Sequence, residues 1–204
     1  MAGRIVVLNG TPRSGKTSIA RRMQAYSEDV WLNHGVDQSM RDTPQKYQPG
    51  IGLRPGGERP DLEPLVVKFY LAHYDALVEL AREGYNLVAD LGHHDAYSKP
   101  LHILEQCAQR LDGIEAWLIG VDCDLTTILA RRAEADGIYA RPSADDPVPA
   151  PVLRWQEEVH RPGIYDLRVD TTRRTSEDCA REILDFVASG RPSTAFTELA
   201  RRPV

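Results

Sequence analysis

The sequence predicts an α/β domain: a parallel five-stranded sheet with helices on both faces. Three observations carry that expectation. Short β-branched runs alternate with longer helical patterns about five times along the chain. The strand candidates are near-continuously apolar, as strands covered on both faces must be. The 204 residues amount to one domain at ~100–200 residues each. A chain of that length buries about 70% of the surface its unfolded form exposes, enough for a core without staples.

The elements follow in order. Arg4 to Asn9 (RIVVLN) reads as a strand, Ser14 to Ser27 as a helix, and Val30 to Val36 as a weaker strand. Leu65, Phe69, Ala72, Ala76 and Leu80 recur at three- and four-residue spacing, which predicts a helix over Pro64 to Glu83. Pro64 suits its start and Gly84 its exit. Tyr85 to Asp90 (YNLVAD) is the next strand. Leu101, Leu104, Ala108 and Leu111 form a second helical stripe, with Ser98 as the expected N-cap and Pro100 just inside. Ile114 to Val121 is a strand, Leu125 to Glu134 a helix, and Ile164 to Val169 the last strand. A final helix starts near Thr175, where Thr175 and Asp178 have capping-box spacing, and runs to about Ser189. Right-handed crossovers then bring the loops after each strand to one edge, where ligands of such folds bind.

Three segments break the alternation. The stretch 42–61 holds four Gly and four Pro and reads as a long loop of the kind that is either functional or disordered. The stretch 136–151 is rich in Pro, Asp and Ala and reads as a lid. Residues 191–204 lack periodicity and read as a flexible tail behind a single domain over 1–190.

Composition excludes several classes. There are 25 basic and 30 acidic residues, net −5, which argues against a nucleic-acid-coating protein or a polybasic membrane binder. No apolar run approaches the ~20 residues of a spanning helix. The N-terminus lacks a signal-peptide pattern. Cys107, Cys123 and Cys179 are far apart with no C-x-x-C pair, so neither a zinc site nor a disulfide frame is indicated. A reducing, cytoplasmic setting is expected.

The motif with most chemical content is Gly10-Thr11-Pro12-Arg13-Ser14-Gly15-Lys16-Thr17, a complete G-x-x-x-x-G-K-[ST] between a strand and a helix. Successive N–H groups of such a turn curl around phosphate oxygens, and the helix N-terminus adds positive potential. Gly10 and Gly15 permit the turn. Lys16 is expected to reach the β- and γ-phosphates, and Thr17 to ligate Mg²⁺. Asp90, closing YNLVAD, fits a metal-holding carboxylate, directly or through water. Asp124 fits a helix cap. The three Asn residues precede Gly, His and Leu, so the N-K-x-D element of a guanine switch is absent. A small P-loop domain with an arginine-bearing lid fits transfer to a small acceptor. Such transfer needs cations around the phosphate and exclusion of water. Asp37, in WLNHGVD, is placed at the end of the second strand. There a carboxylate can orient an acceptor hydroxyl and take its proton.

At these residues the chain resembles the chloramphenicol phosphotransferase family of P-loop kinases. The carrying stretches are IVVLNGTPRSGKTSI, WLNHGVD with Asp37, the Asp90 strand end, GVDCD at Gly120 to Asp124, and VHRPGIYDLRVDTT from Val159 to Thr172. They span most of the first 190 residues. The resemblance implies a P-loop NTPase fold of nucleotide-kinase type that uses ATP and Mg²⁺ to phosphorylate a small-molecule hydroxyl. It places the family's P-loop lysine and hydroxyl at Lys16 and Thr17, and its catalytic aspartate at Asp37. It also places a lid-side arginine at Arg131 and the adenine end near Arg131 and the Asp170–Thr172 loop. The implied nucleotide contacts are Gly10 through Ser18, with Arg131 and Thr171. The 42–61 and 136–151 stretches depart from the antibiotic-modifying members and are expected to shape the acceptor pocket. The acceptor is then an antibiotic or a metabolite such as a nucleoside or sugar-like alcohol. A nucleotide-binding regulatory module is the reading from a different class.

Other residues weigh less. His93 and His94 are adjacent in an extended segment and face opposite sides, which disfavours a joint metal site. Arg131 and Arg132 are about 100° apart on a helix, so one can enter the cleft while the other is solvated. Arg13, Arg141 and Arg154 are weaker phosphate-contact candidates, and Trp155 fits packing.

Overall fold

The computed structural model describes residues 2–134, 143, 145–161 and 163–203. Five parallel strands, β1 (Ile5–Asn9), β2 (Trp31–Asn33), β3 (Asn86–Leu91), β4 (Ala116–Asp122) and β5 (Leu167–Asp170), stand in the order β2-β3-β1-β4-β5. The central strand is wholly buried, which explains its unbroken apolar run. Asn9 pairs in register with Leu91 on one side and Gly120 on the other. The ends of β1, β3 and β4 therefore open onto one edge, above which the P-loop stands.

Alternate residues of each strand feed two cores. Ile5, Val7, Leu87, Ala89 and Leu118 face α3 (Glu63–Arg82), α4 (Ile103–Arg110) and α8 (Ala195–Ala200). Val6, Leu8, Val88, Trp117 and Ile119 face α1 (Lys16–Tyr26) and α7 (Ser176–Ala188). Full burial of each large side chain contributes about 1.5–3 kcal/mol. A smaller cluster of Cys123, Ile128 and Val152 joins α5 (Leu125–Ala133) to α6 (Ala150–Glu158).

Most predicted elements are present, with ends shifted by one to three residues; the last strand, expected from Ile164, begins at Leu167. Thr175 and Asp178 form the expected reciprocal cap of α7, and Asp124 caps α5 by accepting from Thr127 N at 2.6 Å. Four expectations are corrected. First, α3 exists, but its buried face is Val66, Tyr70, His73, Tyr74, Leu77 and Ala81. The Leu65–Leu80 stripe lies on its half-buried flank and at Ala72 is exposed. Polar-tipped rings can face inward here because their tips have partners: Tyr70 Oη donates to Ile51 O at 3.0 Å, and Tyr74 Oη lies 2.8 Å from His93 Nε2.

Second, Ser98 does not cap α4. Its N–H and hydroxyl go to Glu63, while Asp95 takes the N–H groups of Leu101 and His102. Third, the second strand stops at Asn33, and Asp37 lies in the first turn of α2 (Val36–Asp42). Fourth, the tail expected to be flexible carries α8, whose Ala195, Phe196 and Leu199 are buried. Asp166 holds its start by accepting from Thr194 N and Ala195 N. The 42–61 stretch is packed: Ile51 and Leu53 are buried, and Gly56 N donates to Ala96 O at 2.7 Å. Residues 136–142, Arg141 among them, and residue 144 lie outside the described residues, and with them half of the stretch expected to form a lid. No helix among the described residues is long and apolar enough to cross a membrane.

Candidate functional site

The site begins with the turn between β1 and α1. A Cβ on Gly10 would stand 2.5 Å from Val121 O, so the chain can pass this close to β4 only at glycine. Gly15 takes a left-handed φ of 95°, and so does Arg13 at 75°. A non-glycine residue enters that region at a cost of ~1–2 kcal/mol. The Arg13 carbonyl accepts from Arg131 Nη1 at 3.1 Å, which helps hold the turn.

Lys16 is curled back over the loop, its Nζ donating to Gly10 O and Thr11 O at 2.7 Å each. Burial pulls its pKa down to about 8, against the opposing pull of the Asp90 and Asp37 charges. Thr17 Oγ1 donates to Asp90 Oδ2 at 2.5 Å. Burial raises the Asp90 pKa, opposed by the Thr17 hydroxyl and by Lys16. A Cβ on Gly35 would fall 1.7 Å from Asp90 Oδ1, so the β2–α2 loop lies directly against this carboxylate. Asp37, two residues on, acts electrostatically on both Lys16 and Asp90.

These groups share one cavity of about 540 Å³. Gly10, Pro12, Lys16, Thr17, Asp37 and Asp90 line its phosphate-loop side. Val36, Met40, Ile51, Leu53, Arg54 and Arg59 line the side supplied by α2 and the Pro/Gly-rich stretch, and Gly92, Arg132, Pro151 and Trp155 complete it. The stretch predicted to shape a pocket thus forms a wall of this one. Trp155 is buried as packing requires, yet it also meets the cavity.

Arg131 and Arg132 divide differently from expectation. Arg131 does not line the cavity. Its guanidinium donates to the Arg13 carbonyl, to Thr171 Oγ1 at 3.2 Å and to Thr171 O at 2.9 Å. Thr171 Oγ1 in turn donates to Ser14 O at 2.6 Å. The pair braces the P-loop across the β5 end. Arg132 is buried and lines the cavity, so neither arginine is the solvated partner. Ser18 faces outward and is exposed. Arg154 is exposed and packs by Gly56, away from the cavity lining.

His93 and His94 point apart, as expected. His93 meets Tyr74. His94 Nε2 lies 2.9 Å from Leu53 O. A carbonyl only accepts, so that nitrogen carries the proton. Its ring meets Trp155 edge-on at a centroid distance of 5.0 Å. The pair supports the cavity wall from behind.

The turn fits a triphosphate tail. The Ser14 hydroxyl is buried without a hydrogen-bond partner among the described residues, and the Lys16 ammonium is satisfied by loop carbonyls alone. The Thr17 hydroxyl and Asp90 carboxylate are hard oxygen donors suited to Mg²⁺, which usually completes its shell with water and phosphate oxygens. No group of three or more His, Cys, Asp or Glu among the described residues forms a self-contained metal site.

Comparison with known proteins agrees with this geometry. The Mycobacterium tuberculosis (strain H37Rv) protein named "Putative O-phosphotransferase Rv2636" is 22% identical over 216 residues, covering 98% of this chain and 89% of that one. Among solved folds, the Mycobacterium tuberculosis APS kinase CysC in complex with AMPPNP and APS has a TM-score of 0.61 at 19% identity, covering 92% of this chain and 98% of that one. The Deinococcus radiodurans tunicamycin resistance protein has a TM-score of 0.62 at 19% identity, covering 91% and 95%. These likenesses establish the fold of P-loop kinases. The family model for chloramphenicol phosphotransferase-like protein matches residues 3–188, nearly the whole chain, and the chain belongs to that family.

Proposed function

We propose that the protein transfers the γ-phosphoryl group of ATP to a hydroxyl of a small molecule held in the 540 Å³ cavity. The observation that carries this reading is the shared wall: Asp37 lines the same cavity as Lys16, Thr17 and Asp90. A nucleotide-binding module without transfer activity has no use for a second carboxylate facing a roomy cavity beside the phosphate turn.

Each residue has a part. The backbone N–H groups of residues 10–17 and the Ser14 hydroxyl bind phosphate oxygens. Lys16 exchanges its loop carbonyls for the terminal phosphate. Its cationic form favours the charge that spreads over the transferring oxygens. Thr17 and Asp90 would hold Mg²⁺, which supplies charge neutralisation at the phosphates when bound. Asp37 accepts a hydrogen bond from the acceptor hydroxyl and takes its proton as the oxygen–phosphorus bond forms. Arg131 and Thr171 keep the P-loop in shape on the nucleotide side. The apolar wall of Val36, Met40, Ile51, Leu53 and Trp155 holds the body of the acceptor and excludes water.

The test is a panel of hydroxyl-bearing antibiotics and metabolites assayed for acceptor-dependent ADP formation, with the product identified by mass. Asp37→Asn is expected to slow transfer by ~10²–10⁴-fold with nucleotide affinity retained. An unaltered rate removes Asp37 from the proton-accepting role. Nucleotide binding with no acceptor-stimulated ADP across the panel would favour the module without transfer activity.

A further inference from the structure

Asn9 lies one residue before the P-loop and is 1% exposed. Its side-chain amide is fully engaged. Nδ2 donates to Val159 O and to Tyr165 Oη, each at 2.9 Å, and Oδ1 accepts from His93 N at 2.7 Å.

These partners belong to the two segments that meet over the cavity. Val159 closes α6, and its own N–H bonds to Trp155 O at 3.1 Å. His93 follows Gly92. A Cβ on Gly92 would stand 3.1 Å from the Trp155 ring and 3.6 Å from Gly10 O. The indole, the end of β3 and the first P-loop carbonyl therefore touch at this glycine. One amide holds both sides of that contact. Tyr165 extends the clasp: its Oη is 2.7 Å from His160 Nδ1, and His160 Nε2 is 3.5 Å from Asp122 at the end of β4.

Resting on the kinase reading, we propose that Asn9 is a positioning residue whose amide sets Trp155 against the P-loop, and so sets the separation between acceptor and phosphate turn. Asn9 does not line the cavity. Its side chain makes no hydrogen bond to the 10–17 turn that grips nucleotide. Its loss should act on the acceptor and spare the nucleotide.

The experiment uses the full chain and Asn9→Ala. Acceptor KM and kcat, nucleotide Kd, and amide hydrogen exchange over residues 92–97 and 150–158 are measured. A rise of about tenfold in acceptor KM is expected, with nucleotide Kd within about twofold and faster exchange in both segments. Combined with Trp155→Ala, it should add little to the effect of Trp155→Ala alone, because both act through the same ring. Asn9→Asp keeps the acceptor for His93 N and removes both donors, so exchange should quicken over 150–158 and not over 92–97. The proposal is overturned by unchanged acceptor KM and exchange, by nucleotide affinity falling in step with acceptor affinity, or by full additivity with Trp155→Ala. Should Asn9→Ala fail to fold, Tyr165→Phe removes a single partner and is read the same way. If the unaltered protein phosphorylates no acceptor, the kinase reading falls separately, and the exchange pattern of the two Asn9 variants alone decides the clasp.

Discussion

Acidification is expected to loosen this protein through two buried imidazoles, His73 on the inner face of α3, stacked on His34, and His93, packed against Tyr70 and Tyr74 of the same helix. His73 is held down to about 4 and His93 to about 3, in both cases chiefly by burial. In the unfolded chain each titrates near ~6.5. A histidine whose folded pKa is lowered binds fewer protons folded than unfolded, so its contribution to stability is complete above ~6.5 and is lost as pH falls. At pH 5 the unfolded imidazole is almost fully protonated and the folded one almost fully neutral. The gap of ~1.5 pH units at ~1.36 kcal/mol each gives about 2 kcal/mol per histidine, or about 4 kcal/mol for both. His34, His94 and His160 are also lowered by burial and push the same way, while Asp90, whose pKa is raised, pushes oppositely at lower pH. Urea unfolding at pH 7 and pH 5 reads the difference. His73→Phe replaces one titratable imidazole with a ring that cannot ionise and should cut the pH-dependent loss by about 2 kcal/mol, whatever its larger ring does to baseline stability. Equal pH slopes for the two proteins, or unfolding midpoints that do not move between pH 7 and 5, would refute the buried-neutral assignment.

Three further outcomes follow from single positions. Lys16→Ala should abolish acceptor-dependent ADP formation; undiminished turnover counts against the phosphate-binding assignment. Gly35→Ala drives a methyl to 1.7 Å from Asp90 Oδ1. It should destabilise by about 1–3 kcal/mol and raise the Mg²⁺ concentration needed for turnover, and a neutral result in both would show that the loop can give way. Phe196→Ala should lower unfolding stability by about 3–5 kcal/mol, since Phe196 is 5% exposed against Tyr74 and its neighbours; a change under ~1 kcal/mol would mean that α8 contributes little.

The legible parts of this protein are those whose determinants are contiguous. The P-loop is eight consecutive residues between a strand and a helix, so motif and context can be read together. The caps at Asp124 and Thr175 are equally local. Asp37 was legible as a residue but not as a position. β2 is a three-residue edge strand paired on one side only, and the chain bends at Gly35 to lie against Asp90. Nothing within the WLNHGVD stretch signals where that pairing stops. α8 reads in sequence as no more than one possible turn, because six residues are too few for a period, and its burial depends on α4 and on Asp166.

The sequence by itself determined the alternation of strands and helices, the phosphate-binding turn and the set of chemically competent side chains, because each follows from residues within a few positions of one another. The tertiary structure decided which of those side chains share a cavity. It turned Arg132 into the cavity and Arg131 to the carbonyls of Arg13 and Thr171, chose the Tyr- and His-bearing face of α3 over its Leu-bearing flank, and brought Asn9 within reach of residues 84 and 150 positions away. Such choices rest on partners from distant segments that leave no mark on local pattern. A buried polar atom is tolerated only where another part of the fold completes its hydrogen bonds.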